Sequence, residues 1–465
     1  MFDTGASGTM VSYLIIILLV ASIAAAMAGL FRARKQRELA TVKVHSRPIY
    51  HALNAAIWTG VPAFIFLILW SMSESSFQDM LVLSSFPGAD QMTGPERNLL
   101  ISEIRQVRAG NLFTEPSPEV LVGVEHLRSL EFIFRWAMVA VAASLASIGA
   151  FFGFRIIQHR YQARYSVERS VTWFMIFSSI VAIVTTLGIV SSLVYEAAQF
   201  FAKVPFTEFF FGLRWEPQIA IRADQVAGQG AFGMIPVLFG TMVISLLAML
   251  VAIPTGIFSA ISLAEYANSR FRSVVKPLLE ILAGIPTIVY GFFAVLTVAP
   301  AIRNLAMSLG IDASPNSALA AGGVMGVMLI PFISSLSDDA FAAVPRAMRD
   351  GSYALGATKG ETIRKVLLPA ALPGIIGGVL LALSRAIGET MIVVMAAGLI
   401  AKMTLNPFES VTTVTVQIVT LLIGDSEFDN PKTLAAFALG LVLFTITLGL
   451  NLIALHTVRK YREKY

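Results

Sequence analysis

The 465 residues are 56% hydrophobic and 14% charged, with a mean hydropathy of +0.75, whereas a soluble domain carries about 25% charged residues. That balance excludes an ordinary soluble domain and predicts an all-α, polytopic membrane protein in contact with lipid. The net charge of +5 does not point to nucleic acid, because the basic residues recur at the ends of apolar segments and form no single patch. The absence of cysteine excludes disulfides, thiolate metal sites and cysteine nucleophiles.

Nine apolar windows of about 20 residues, long enough to span a bilayer, fall near 11–31, 52–72, 132–154, 171–197, 233–258, 277–301, 318–337, 373–400 and 433–456. No basic residue precedes the first, and Arg32, Arg34, Lys35 and Arg37 follow it, so it reads as a retained anchor. Loops 31–51, 155–170, 265–276, 338–372 and 457–465 hold 22 Lys or Arg; the opposite set holds 10. The positive-inside rule then places the amino terminus outside and the carboxyl terminus in the cytoplasm. The expected location is the inner (plasma) membrane, with multiple passes. The five histidines, His45, His51, His126, His159 and His456, lie far apart and read as surface or interface residues rather than metal ligands.

The external segment 73–130 is polar, and Gly94-Pro95, Pro116 and Pro118 interrupt helical patterns such as 96–109; no function is legible in it. A boundary near 160 separates three spans, 1–160, from six that begin and end inside, 161–465. Segment 198–232 mixes Phe206, Phe209, Phe210, Phe211 and Trp215 with Gly and Pro, which fits a re-entrant element and equally an amphipathic lip at the membrane surface. No inverted repeat relates the halves, which weighs against a secondary transporter.

The loop 339–372 is too polar for hydrocarbon, yet Met348, Tyr353, Leu355, Ile363, Val366 and Leu367 are spaced for short amphipathic helices. Gly356 falls where one helix would end and the next begin, and Pro345, Pro369 and Pro373 punctuate the ends. In the next span Arg385 and Glu389 stand four residues apart at mid-membrane depth, where an unpaired charge costs about 2.5–3.5 kcal/mol. On a continuous helix they share a face and can pair. Gly374, Gly377, Gly378, Ala382, Ala386 and Gly388 on the same span permit close approach of a neighbouring backbone. The pair reads either as a structural salt bridge or as a guanidinium offered to a passing oxyanion and held by a carboxylate until the anion competes.

Asp350-Gly351-Ser352, Gly356, Val366, Leu368 and Pro369 stand at the spacing of the Glu-Ala-Ala, three residues, Gly, nine residues, Ile, one residue, Leu-Pro loop of ABC importer permeases, which this segment resembles together with Ala357. Asp replaces Glu, Gly-Ser replaces Ala-Ala and Val replaces Ile. Leu383 to Met391 and Leu279 to Phe292 further resemble the phosphate-specific permeases of the PstC type. The resemblance covers about 165–465; residues 1–160 match only the extended amino termini of some members. It implies a type I importer with a six-helix permease core, a PstA-like partner permease, two ATP-binding-cassette subunits and an extracytoplasmic phosphate-binding protein. It also implies that the loop 339–372 docks on the ATPase and that Arg385 and Glu389 lie on the substrate path.

No Gly, four residues, Gly-Lys-Ser or Gly-Lys-Thr loop occurs; after Gly351 and Gly356 come Ala357 and Thr358. The chain is therefore expected to be a transport subunit, not an enzyme, with no cofactor of its own and with ATP and Mg bound by its partners. Another oxyanion (sulfate, molybdate or a phosphonate), a non-transport sensor or scaffold, and a passive anion channel remain as alternative readings. Arg135 with Glu131, Glu280 and Glu196 read as interfacial groups, and Asn304 and Asp312 line an outer loop.

Overall fold

The computed structural model describes residues 5–39, 45–86, 92–110, 117–158, 161–218, 230–423 and 430–462. Among the described residues, nine helices are long and apolar enough to cross a membrane. Helices satisfy every backbone group within one segment, which is why an apolar chain in lipid adopts them. The chain divides into two compact units, Met1–Ile183 and Val184–Tyr465. The division falls inside a helix, beyond the loop near 160.

The first unit contains α1 (Gly5–Leu39), α2 (Pro48–Ser84), α3 (Gly94–Arg108) and α4 (Pro118–Arg155), followed by the start of α5 (Ala163–Lys203). Leu14 and Leu18 of α1, Ala63 and Leu67 of α2, and Met138, Ala142 and Ala146 of α4 form its apolar centre. Helices α2 and α4 run well past their apolar windows, so much of 73–130 is helix. Across their ends lies α3, burying Ile104 against Val82, Val120 and Leu127. Its start is held by a Thr93–Glu96 capping box. Two ion pairs fasten it, Arg105 to Asp79 at 2.7 Å and Arg108 to Glu131 at 2.9 Å. Glu131 thus takes Arg108 as its partner, not Arg135, because α3 brings the nearer cation. His51 is a second correction: at 2% exposed it is a core residue of α2.

The second unit opens with the end of α5, a short α6 (Phe206–Phe211), and strands β1 (Trp215–Glu216) and β2 (Ala231–Phe232), which pair antiparallel. Phe200, Phe209, Trp215 and Phe232 bury against one another and against Val414, Leu421 and Leu434. Phe206 and Phe211 stay exposed. Between the two readings of this aromatic segment, the described part is folded onto its unit, and residues 219–229 lie outside the described residues.

Next come α7 (Ile235–Ile261), α8 (Ser269–Ala283), α9 (Thr287–Phe293), α10 (Ala299–Ser308) and α11 (Ala318–Ala342). The core is the α7–α11 pair, with Ile244, Ala248 and Ala252 against Ala321, Met325 and Leu329. The expected span 277–301 is displaced: α8 is a separate amphipathic helix, and the span is Thr287–Ser308. Arg272, Lys276 and Glu280 recur every fourth residue on one side of α8, and Phe271, Val274, Leu278 and Ile281 occupy the other. The chain breaks at Gly284, and Pro286 caps α9.

The remaining helices are α12 (Arg346–Ala354), α13 (Lys359–Thr362), α14 (Leu368–Ile387), α15 (Met391–Ala396), α16 (Val414–Leu422) and α17 (Pro431–Arg462). The small residues of α14 make the predicted close contacts: a methyl group on Gly378 would meet Leu336 of α11, and one on Gly377 would meet Val458 of α17. Two expectations fail here. Pro373 lies inside α14 rather than at its end, and the window 373–400 is not one helix, since α14 stops at Ile387.

Residues 388–423, largely expected as outer loop, fold into the core. Val411 donates its N–H to Ala397 O at 3.2 Å, and Val414 donates to Thr241 Oγ1 at 3.0 Å. Thr412, Thr413, Thr415 and Gln417 are buried, and Gln417 accepts the Trp215 indole N–H at 2.8 Å. Irregular backbone is tolerated at membrane depth where protein surrounds it. Gly240 of α7 makes room for it, because a Cβ there would collide with Thr412 O. Gly240→Val is therefore expected to destabilise the fold by about 1–3 kcal/mol or more. Thermal unfolding of the purified protein in detergent checks this; an unchanged midpoint would contradict the contact.

Candidate functional site

Helix α12 begins after Pro345 and ends in a two-bond C-terminal cap. The Gly356 N–H bonds Tyr353 O at 2.9 Å and the Ala357 N–H bonds Ser352 O at 3.2 Å, with Gly356 at φ +81°. This pattern requires a left-handed residue just beyond the helix, a conformation glycine adopts without steric cost. Thr358 then caps α13 through a capping box with Glu361. A π-helical turn, Ile363–Leu367, precedes α14 and absorbs the register change before Pro369, whose nitrogen has no hydrogen to give the preceding turn.

The elbow is fastened to the spans at its back and open at its front. Ser352 Oγ and Thr362 Oγ1 lie 2.9 Å apart, tying α12 to α13. Arg349 pairs with Glu265 at 2.9 Å, beyond the end of α7, and donates to Phe341 O of α11 at 3.2 Å. Phe341, Val344, Ile363, Leu367, Ala371 and Ile375 pack beneath. Asp350, Gly351, Tyr353 and Gly356 face outward, and Leu355 is 91% exposed. Val366 lies half-buried in the π-helical turn, while Leu368 and Pro369 start α14. An apolar side chain left bare on a rigid turn, backed by an ion pair to one span and a hydrogen bond to another, can take up a push from a partner and transmit it.

Arg385 occupies the last turn of α14, where the helix dipole favours a cation. Helical side chains lean toward the helix start, and its guanidinium lies 5.8 Å from the centre of the Phe332 ring, near the middle of α11. The side chain is exposed.

Glu389 is not its partner. Gly388 caps α14, and Glu389 sits in the break before α15, 9% exposed, with its carbonyl accepting from Thr415 Oγ1 at 2.8 Å. Among the described residues no ion pair joins the two, because the helix that would have aligned them ends between them. The arrangement offers an open guanidinium and, separately, a buried carboxylate.

A third group was not picked out from the sequence. Asp338 of α11, buried, accepts from Arg272 Nη2 at 2.9 and 3.0 Å and from Lys276 Nζ at 2.8 Å. That bond raises the Lys276 ammonium above the ordinary lysine range, so it is charged at neutral pH. The available signal was the Arg272, Lys276 spacing of one helical turn on α8, together with a carboxylate immediately after an apolar window.

An all-α, nine-span protein that carries a capped helix and glycine elbow between two spans has the build of a transport permease moved by an external subunit. Residues 252–463 match the family of binding-protein-dependent transport system inner membrane components, and residues 15–185 match a family described as phosphate ATP-binding cassette transporter. The probable ABC transporter permease protein YqgH of Bacillus subtilis is 36% identical over 240 residues, covering 52% of this chain and 74% of the relative. The phosphate transport system permease protein PstC of Mesorhizobium japonicum is 34% identical over 46% of this chain and 70% of its own length. PstC 1 of Mycobacterium tuberculosis is 35% identical over 54% and 81%. The chain belongs to the PstC-type permeases of the ABC importers. The stretch 15–185 falls largely on the three-span extension, for which the sequence offered no role.

Proposed function

We propose that this chain forms half of the translocation path of an ATP-driven importer of inorganic phosphate. The other half is a PstA-like permease, two ATP-binding-cassette subunits bind ATP and Mg and dock on the elbow at Gly356, and an extracytoplasmic phosphate-binding protein delivers the anion. The amino terminus lies outside and the elbow and carboxyl terminus lie in the cytoplasm.

The observation that carries this reading is the exposed Arg385 guanidinium over Phe332, near the middle of the α11 span and without an ion-pair partner among the described residues, in a protein whose relatives bear the name of phosphate permeases. A charge in that position is costly unless something compensates it. A tetrahedral oxyanion does so through charge-assisted, bidentate hydrogen bonds to the planar fork. Glu389, buried four residues on, is the acidic group in this part of the chain that would oppose permanent anion capture.

The test is uptake by the full complex in proteoliposomes containing ATP, with phosphate and sulfate supplied on their binding proteins. Phosphate accumulation with phosphate-stimulated ATP hydrolysis is expected. Stimulation by sulfate alone would replace phosphate with another oxyanion, and flux without ATP would replace the pump with a channel.

A further inference from the structure

Beside the Arg272–Asp338–Lys276 cluster lies a cavity of about 220 Å³ between α8 and α11, walled mainly by apolar side chains, Phe332 among them, with Lys276, Glu280, Ser334 and Asp338 also in its lining. By the same measure one water needs only about 15 Å³, so a small hydrated ion fits. Its α11 wall includes Phe332, the ring under the Arg385 guanidinium. The same wall includes Asp338, six residues on along α11, which is about 9 Å of helix.

The cluster sets two cations on one buried carboxylate, with the carboxylates of Glu280 and Asp339 close enough to Lys276 to offset the second charge. One buried carboxylate needs one cation for neutrality, and Asp338, its side chain 6% exposed, has two. Among the described residues Arg272 reaches it through Nη2 alone, leaving the Nε and Nη1 donors, and Lys276 uses one of its three N–H groups. Glu280, exposed on the same wall one turn from Lys276, lowers the net attraction. A site that attracts an ion without trapping it suits passage, since conduction requires binding weak enough for release.

The cluster also adjoins the elbow. Asp338 stands three residues before Phe341, whose carbonyl accepts from Arg349 of α12. Movement of α12 therefore acts on the turn of α11 that carries Asp338.

We propose that Arg272, Lys276 and Asp338 form a second oxyanion station between Arg385 and the elbow end of the permease, at which Asp338 competes with the anion for the two cations and expels it. This rests on the reading of the chain as an oxyanion permease with Arg385 on its path. The step is an exchange of ion-pair partners: the anion enters as Asp338 is drawn off the cations and leaves as Asp338 returns.

The test uses the full complex with partner permease, ATPases and phosphate-loaded binding protein. In the neutral triple variant Arg272→Gln, Lys276→Gln, Asp338→Asn, polar contacts between α8 and α11 are retained without charge, and phosphate uptake per ATP hydrolysed is expected to fall at least tenfold in the assembled complex. Coupling equal to wild type would overturn the proposal and leave the cluster as a latch between two helices. A second measurement covers a variant that fails to assemble. In the wild-type complex turning over ATP, inorganic phosphate is expected to slow acetylation of Lys276 at least threefold, and an unchanged rate overturns the station. Wild type carrying sulfate and not phosphate would sink the substrate reading alone, and both measurements then run with sulfate, with the same two outcomes for the station.

Discussion

Arg385→Gln is expected to lower phosphate uptake by the assembled importer roughly ten- to hundredfold. The estimate follows from the chemistry of the lost contact: a hydrogen bond to a charged group contributes about 1.5–3 kcal/mol, and each 1.4 kcal/mol is a factor of about ten. Gln keeps a polar head of similar reach but loses the charge and the planar fork. Folding is expected to survive, because the guanidinium is exposed and rests on the face of Phe332, a contact contributing about 0.5–1 kcal/mol at an exposed site. Arg385→Lys separates the two properties: it keeps the charge without the bidentate geometry, so partial uptake is expected. Radiolabelled phosphate uptake alongside co-purification of the ATPase and partner permease reads both quantities. Normal uptake by a fully assembled Gln variant would remove Arg385 from the path.

Gly356→Val is expected to leave a complex that hydrolyses ATP but moves about tenfold less phosphate for each ATP consumed. Gly356 holds φ at +81°, and a methyl group added there would meet nothing within 4 Å. Space is therefore not the obstacle. The left-handed backbone costs an ordinary L-residue about 1–2 kcal/mol, and a β-branched side chain is a genuine outlier in it. The elbow is expected to relax to another angle, carrying the exposed Leu355 and Asp350 away from the surface they meet, while Arg349 continues to hold Glu265 and Phe341. Gly356→Asn is the informative control, since asparagine tolerates the left-handed region; it is expected to restore most of the coupling. Simultaneous measurement of ATP hydrolysis and uptake decides the matter, and a Val variant with wild-type coupling would show the bend to be dispensable.

The elbow was legible in the chain because its determinants are local. A glycine between two short amphipathic patterns, with Thr358 and Glu361 three residues apart after it, specifies a cap, a turn and a restart within about a dozen positions. The same holds for the membrane spans, where hydropathy over 20 residues is sufficient. The errors came where a local pattern had two outcomes. Leu278 to Ala283 is apolar enough to join a span, but the polar residues at every fourth position of α8 make it a surface helix that stops at Gly284. Gly388 is an unremarkable residue in a membrane helix by composition, yet it ends α14 and separates Glu389 from Arg385.

The segment 401–432, expected as an outer loop, shows the limit most clearly. Its threonines and glutamine read as polar loop, and they are buried because Gly240 and Thr241 on a distant helix accept the Thr412–Val414 backbone. A polar side chain is buried without penalty only when partners reach it, and the partners of Gln417 include Trp215, 202 positions away.

By itself the sequence determined the number of spans, the expected sidedness, the elbow at Gly356 and the presence of a guanidinium at membrane depth, since hydropathy, charge bias and a left-handed turn are each written over a few neighbouring residues. Tertiary structure alone decided which charges meet: Arg385 on Phe332, Glu389 set apart from it in a helix break, and Asp338 beneath Arg272 and Lys276, more than 60 positions away. Such pairings depend on the packing of helices whose side-chain periodicity records only which face is apolar, and not which neighbour that face will find.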